Sequence, residues 1–117
     1  MERETEDLAV RDEGAVVVVR LKNENLLSVP AAERIEREVR GLVAGGATRL
    51  VLDFAAVRYA GSAILAMILT ARQEVGDRGR VVLAGVQRLA EVLRISKTDT
   101  LFLIAEDAAA GIAAARA

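Results

Sequence analysis

Few side chains in this sequence could carry out or receive chemistry, and Ser62 is the one in the most informative setting. The chain has no His and no Cys, which removes thiol nucleophiles, His-based proton transfer, a Ser–His–Asp triad and most zinc sites. Ser62 stands at the predicted start of a helix, within the segment RLVLDFAAVRYAGSAILAMILTARQEV. Its hydroxyl is expected to cap that helix. A phosphate is also compatible with this position, because the start of a helix attracts anions.

A phosphate on Ser62 would change binding more than folding. It carries about −1.5 to −2 charges at neutral pH, and the helix dipole would favour that charge. A protein docked on the neighbouring apolar side chains would instead be repelled and would face a desolvation cost. Phosphorylation would therefore switch a binding surface without unfolding the domain.

The helix predicted over residues 62–75 is apolar over more of its circumference than one buried stripe requires. Either neighbouring helices of the same domain cover this excess, or part of it is a docking surface for another protein. In the second case we expect some of the residues near the helix start to be exposed in the monomer or covered only in a homodimer. The residues in question are Ala63, Ile64, Leu65, Met67 and Leu69.

The remaining polar residues favour structural roles. Asp53 ends a predicted strand, where ligands often bind in open α/β sheets, but the simpler interpretation is that it caps the following loop. The glycine-rich stretch 45–49 lies between a helix and a strand, the reverse of a phosphate-binding loop. No pair of carboxylates is spaced for acid–base work. We therefore expect no enzyme activity, no cofactor and no bound metal.

The composition limits the partners and the location. The 16 basic and 17 acidic residues nearly balance, which argues against a nucleic-acid or anionic-membrane partner. The acidic N-terminus is not a signal peptide, and the longest apolar run, residues 63–69, is too short to span a bilayer. The expectation is a soluble, cytoplasmic protein of one domain, residues 1–117, with residues 1–6 as a flexible tail.

Hydrophobic patterning predicts an alternation of strands and helices. Strands are predicted at 8–10, 15–21, 50–54, 80–84 and 101–104. Helices are predicted at about 31–44, with Ser28 as the N-cap, and at 62–75, 86–95 and 106–117. This order predicts an α/β fold with four helices and a mixed, mostly parallel sheet of four or five strands, in which the first hairpin forms an antiparallel edge.

The element order and the segment VLDFAAVRYAGSAIL resemble a STAS domain, the SpoIIAA-like fold of bacterial anti-sigma factor antagonists. The later stretch GVQRLAEVLRISKTDTLFLI is similar to the family's helix, loop and last strand, so the resemblance covers nearly the whole chain. The family motif is Asp-Ser-Ser/Thr-Gly-Leu, and a partner kinase that is also the anti-sigma factor phosphorylates its first Ser. The match places that serine on Ser62 and the leucine on Leu65. Gly61, Ala63 and Ile64 replace the motif's Asp, Ser/Thr and Gly.

The resemblance implies an anti-sigma factor antagonist that binds an anti-sigma factor, a serine-protein kinase, and releases it when Ser62 is phosphorylated. The implied partner-binding residues are Arg58, Tyr59, Gly61, Ser62, Ala63, Ile64, Leu65 and Met67. A constitutive STAS scaffold, or a subunit of a signalling or transport assembly without phospho-switching, is the alternative. A small enzyme or nucleotide-binding protein is disfavoured by the missing His, Cys and phosphate loop.

Overall fold

A computed structural model describes residues 2–117 and confirms the alternation of strands and helices. The strands are β1 (Glu2–Glu4), β2 (Leu8–Glu13), β3 (Val16–Leu21), β4 (Asn25–Leu26), β5 (Arg49–Asp53), β6 (Tyr59–Ala60), β7 (Arg80–Ala84) and β8 (Leu103–Ala105). The helices are α1 (Val29–Ala44), α2 (Ser62–Val75), α3 (Ala90–Ile95) and α4 (Ala108–Arg116), and short 3₁₀ turns occupy Gly76–Arg78, Gln87–Leu89 and Thr98–Thr100. The predicted helix over 86–95 thus begins as a 3₁₀ turn. The last strand begins two residues later than predicted.

The main sheet is mixed and mostly parallel, as predicted. Its strand order is β1-β2-β3-β5-β7-β8. The pairs β1–β2 and β2–β3 are antiparallel, and the other three pairs are parallel. The described sheet has six strands rather than the four or five expected, because residues 2–4 add an edge strand.

The prediction of a flexible tail is wrong for residues 2–4, and Met1 lies outside the described residues. Glu2 pairs with Arg11, and Glu4 pairs with Ala9, across the first antiparallel ladder. All three residues of β1 are exposed, so the strand has no hydrophobic pattern that could reveal it. Backbone pairing with β2 gives this segment its structure.

Helices cover both faces of the sheet. On one face α1, α2 and α3 close the larger core, which contains Leu50 and Leu52 of β5. On the other face α4 closes a smaller core, which contains Val51 of the same strand. The strand β5 is therefore buried on both sides, which explains its apolar run from Leu50 to Leu52.

The terminal helix α4 lies unusually close to the sheet. A Cβ atom added at Gly111 would be 2.8 Å from Cγ1 of Val51 and 3.4 Å from Cβ of Ala84. Arg49 of β5 donates a hydrogen bond to the carbonyl of Ala115. Arg116 donates another to the carbonyl of Glu13, at 3.1 Å. Close packing and these two arginines hold α4 on the sheet.

A buried carboxylate, Asp7, joins three parts of the chain. Arg34 of α1 donates from Nε to Oδ2 and from Nη2 to Oδ1 of Asp7, at 2.9 and 3.1 Å. Asn23 donates to Oδ1 at 3.1 Å, and the Lys22 amide donates to the Asp7 carbonyl at 2.9 Å. The hydrogen bonds from Arg34 lower the pKa of Asp7 below its usual value, although burial acts in the opposite direction.

We predict that Gly111→Ala lowers the free energy of unfolding by about 1–3 kcal/mol, because the new methyl group overpacks the space between α4 and Val51. Gly41→Ala is the matched control, since a Cβ there meets nothing within 4 Å. It should be neutral or stabilise α1 by up to about 1 kcal/mol. Urea denaturation of both variants measures the difference, and equal effects would contradict the close approach of α4.

We also predict that Asp7→Asn costs about 1.5–3 kcal/mol at pH 7, since it removes hydrogen bonds to a charged group. The pKa of Asp7 is lower in the folded protein than the roughly 3.9 of an unfolded aspartate. The stabilisation is therefore complete above about pH 4 and is lost as the pH falls through the folded pKa. Urea denaturation at neutral and acidic pH should show that the difference in the free energy of unfolding between Asp7→Asn and wild type becomes smaller in acid.

The control for this measurement is Glu24→Gln, which removes the carboxylate that lies 3.3 Å from Nε of Arg58. Both partners of that pair are largely exposed, so the change should cost less than about 1 kcal/mol. A difference for Asp7→Asn that stays constant with pH would assign its effect to packing rather than to charge.

Candidate functional site

The loop that leads to Ser62 is anchored at its beginning by buried residues. Asp53 at the end of β5 is buried, and its Oδ1 accepts a hydrogen bond from the Ala55 amide at 3.0 Å. This confirms the capping role expected for Asp53. Phe54 is fully buried, and its amide donates to the carbonyl of Ala84 at 2.9 Å. The chain therefore leaves the sheet in one fixed direction.

Two short strands then fix the position of the Ser62 loop. Parallel pairing joins β4 to β6, with Asn25 opposite Tyr59 and Leu26 opposite Ala60. Next to this pair, the amides of Arg58 and Tyr59 donate to the carbonyl of Glu24, at 2.8 and 3.2 Å. The segment between the predicted strand 15–21 and the Ser28 cap therefore contains a strand, β4, which sequence patterning missed because two residues cannot show a period.

The pairing of β4 with β6 also brings Leu27 beside the start of α2. The amide of Gly61 donates to the carbonyl of Leu26 at 3.4 Å. A Cβ atom at Gly61 would be 3.7 Å from Cδ2 of Leu27. Leu27 thus belongs to the same surface as Ser62, although 35 positions separate them in the sequence.

Ser62 is not the N-cap of α2, and that prediction is wrong. The cap is Gly61, which has an extended backbone and offers no side chain. Its carbonyl accepts the first helical hydrogen bonds, from the amides of Ile64 and Leu65 at 3.1 and 3.4 Å. Ser62 is the first helical residue, and its side chain is exposed. Its hydroxyl is therefore accessible and makes no cap bond.

Exposed apolar side chains surround Ser62. Leu27 is 58% exposed, Tyr59 is 54% exposed and Leu69 is 40% exposed. Leu65 is half-buried, and it shares one face of α2 with Ser62 and Leu69 through helical spacing. We call these five residues, Leu27, Tyr59, Ser62, Leu65 and Leu69, the Ser62 surface.

The structure removes two residues from the predicted contact set. Ile64 is 0% exposed and Met67 is 1% exposed, and both belong to the larger core. Their side chains are covered within the domain because α2 packs on the sheet with one side and on α1 with another. The broad apolar circumference of α2 is thus explained partly by domain packing and partly by exposure. Ala63 remains half-buried at the edge of the Ser62 surface.

The chemistry available here is that of a modification acceptor and a docking surface. The exposed hydroxyl of Ser62 stands where the helix dipole favours an anion. The nearest charged side chain of the loop, Arg58, already forms an ion pair with Glu24. Among residues 2–117, no three His, Cys, Asp or Glu side chains are grouped so that they could hold a metal ion.

A family model for the STAS domain matches residues 7–110. No curated protein matches the sequence. In the part of the chain that the structure describes, no helix has both the length and the apolar character needed to cross a bilayer.

Several solved structures share this fold. A Thermotoga maritima protein assigned to the anti-sigma factor antagonists is 17% identical, with a TM-score of 0.82 over 94% of this chain and 95% of that one. An anti-sigma factor antagonist from Mycobacterium paratuberculosis is 23% identical, with a TM-score of 0.81 over 94% and 93%. The Bacillus cell fate determinant SpoIIAA in its phosphorylated form is 20% identical, with a TM-score of 0.65 over 85% and 91%.

We predict that Ser62→Ala changes the free energy of unfolding by less than about 0.5 kcal/mol, because an exposed residue without a cap bond contributes little. Ser28→Ala is the matched comparison, since Oγ of Ser28 accepts from the Ala31 amide at 3.4 Å and caps α1. It should cost about 1 kcal/mol. Urea denaturation measures the free energy of unfolding of both variants. Equal losses of that free energy would indicate that Ser62 does cap α2.

Proposed function

The chain belongs to the STAS domain family, and on that premise we propose that it is an anti-sigma factor antagonist. It binds an anti-sigma factor through the Ser62 surface and thereby frees a sigma factor. The observation that carries the proposal is an exposed serine at the start of α2 with half-exposed apolar side chains around it. The solved structures of similar fold that are described as anti-sigma factor antagonists support the same role.

We further propose that the anti-sigma factor is a serine-protein kinase and that it phosphorylates Ser62. The helix start accepts the added charge, which the dipole stabilises by about 0.3–1 kcal/mol. In a closed interface the same charge would be desolvated beside Leu27 and Leu65, which costs several kcal/mol without a paired cation. Phosphorylation therefore releases the partner and leaves the fold intact. SpoIIAA, which has a similar fold, has been solved in both an unphosphorylated and a phosphorylated form, and this supports the proposal.

The contact surface of this proposal differs from the set that the sequence implied. Arg58, Tyr59, Gly61, Ala63 and Leu65 stay in it, together with Ser62. Ile64 and Met67 are buried beneath this surface and are not part of it. Leu27 and Leu69 join it because they are exposed beside Ser62. In this role the protein acts in the cytoplasm as a binding module and contacts neither nucleic acid nor membrane.

A constitutive STAS scaffold is the second candidate, and one observation favours it. Gly61 and Ala63 stand where the family motif has Asp and Ser/Thr, so a kinase that reads those side chains finds neither of them here. The surface would then bind a partner permanently, and Ser62 would remain unmodified.

We predict that Ser62→Asp weakens binding to the cognate anti-sigma factor at least tenfold, whereas Ser62→Ala keeps the affinity and abolishes phosphorylation. The candidate partners are the anti-sigma factor kinases of the same genome. Calorimetric titration measures the affinities. Incubation with ATP followed by mass spectrometry locates the phosphate.

A second pair of variants tests the surface itself. Leu27→Asp should abolish binding, whereas Ile95→Asp, at an apolar residue of α3 that is also exposed but lies on another part of the domain, should not. Binding that survives Ser62→Asp, with no phosphate found on Ser62, would establish the scaffold. Binding that survives Leu27→Asp would exclude the Ser62 surface, and the absence of binding to every candidate kinase would refute the antagonist role.

A further inference from the structure

Four arginines are grouped at one corner of the domain, where β7 begins and α2 ends: Arg49, Arg72, Arg78 and Arg80. We call this group the basic corner. Arg49 and Arg80 occupy opposite positions on neighbouring strands, where like charges repel. The guanidinium groups of Arg49 and Arg78 donate to backbone carbonyls. Among residues 2–117 no carboxylate forms an ion pair with Arg72, Arg78 or Arg80, whereas Arg49 also donates to the Ala117 oxygen at 3.4 Å. Since the whole chain has a net charge of −1, this positive charge is a local feature.

The basic corner borders a groove of about 500 Å³ beside the last strand of the sheet. Arg72 and Arg80 line this groove, and the single carboxylate among its lining residues is that of Asp77. The rest of the wall is formed by Gln73, two glycines and the apolar residues Val75, Val81, Leu101 and Leu103. The groove therefore combines apolar surface with an excess of positive charge.

The strand at this groove, β8, is the last strand of the main sheet, and no described strand pairs with its outer side. Leu103 pairs with Val82, which lies under α4, and Ile104 pairs with Leu83, which lies on the opposite face. Each of these two residues of β8 is nearly half exposed, at 47% and 46%. The edge thus offers apolar side chains on both faces, which is the arrangement that an added strand would continue.

The opposite edge of the sheet is built differently. There β1 has the sequence Glu-Arg-Glu and is exposed throughout. Charged side chains on an edge strand discourage pairing with another chain. Of the two edges of the described sheet, only the β8 edge carries no charged side chain of its own, and Arg72 and Arg80 line the groove beside it.

We propose that the outer edge of β8 binds an extended acidic segment of a partner protein as an additional strand. Apolar side chains of the segment pack on Leu103 and Ile104, while its carboxylates pair with Arg72 and Arg80. Because β8 has only three residues, few backbone hydrogen bonds form, and the affinity is in the micromolar range of transient contacts. The site is separate from the Ser62 surface, since the 14 residues of α2 place its two ends about 20 Å apart.

The test uses a fluorescein-labelled peptide of eight residues that alternates Glu and Val. Fluorescence anisotropy with the full chain should give a micromolar Kd that rises with salt. Amide shifts in ¹⁵N-labelled protein should map to β8 and the groove. Arg72→Glu and Arg80→Glu should each weaken binding by about tenfold, and Leu103→Lys should weaken it as well. Arg37→Glu, at an exposed arginine of α1, should leave the affinity within about twofold.

Three further ligands separate the alternatives. A peptide that alternates Lys and Val should not bind, and a block peptide of four Val followed by four Glu should bind more weakly than the alternating one. Equal binding of either peptide would overturn the proposal, as would tighter binding of an oligothymidylate or shifts confined to the Ser62 surface. Sedimentation showing that the chain dimerises through β8, with loss of the dimer in Leu103→Lys, would replace the acidic segment by a second copy. None of these readouts depends on Ser62 or on an anti-sigma factor.

Discussion

Burial of the central parallel strands on both faces is the constraint on which the rest of this structure depends. A parallel sheet needs helices on each side, and each of β3, β5 and β7 accordingly contains an unbroken aliphatic run of at least three residues. One face is covered by α1, α2 and α3, and the other by α4 alone. Since α4 is short and covers four strands, it approaches the sheet at Gly111, where no side chain intervenes.

The same requirement places the Ser62 surface. To cover its face, α2 must begin at the end of the sheet where β5 finishes, and the chain must turn there through the segment 54–61. Pairing of β4 with β6 fixes that turn and carries Leu27 to the start of the helix. The outward side of α2, with Leu65 and Leu69, is then left beside Ser62. A surface suited to docking thus results from how the sheet is covered.

Features with a strong local signal were predictable from the sequence. The aliphatic runs predicted the central strands. Ser28 predicted the cap of α1, and apolar periodicity predicted the bounds of α2. Features set by tertiary contacts were not predictable. The strand β1 is charged and exposed, and β4 and β6 are too short for a pattern. Gly61, rather than Ser62, is the N-cap of α2, because the backbone at Gly61 is extended. Burial of Ile64 and Met67, in contrast, follows from helical spacing, because they share one face of α2 with the buried residues Ile68, Ala71 and Val75.

The single helix on the second face has a consequence for synthesis of the protein. All strands of the main sheet precede α4 in the chain, so each of them leaves the ribosome before that helix. Until α4 packs on the sheet, Val16, Val18, Val51 and Val82 have no helix to cover them. The last helix therefore ends the period in which this face could be bound by a chaperone, and Arg49 retains it there by bonding to its final turn.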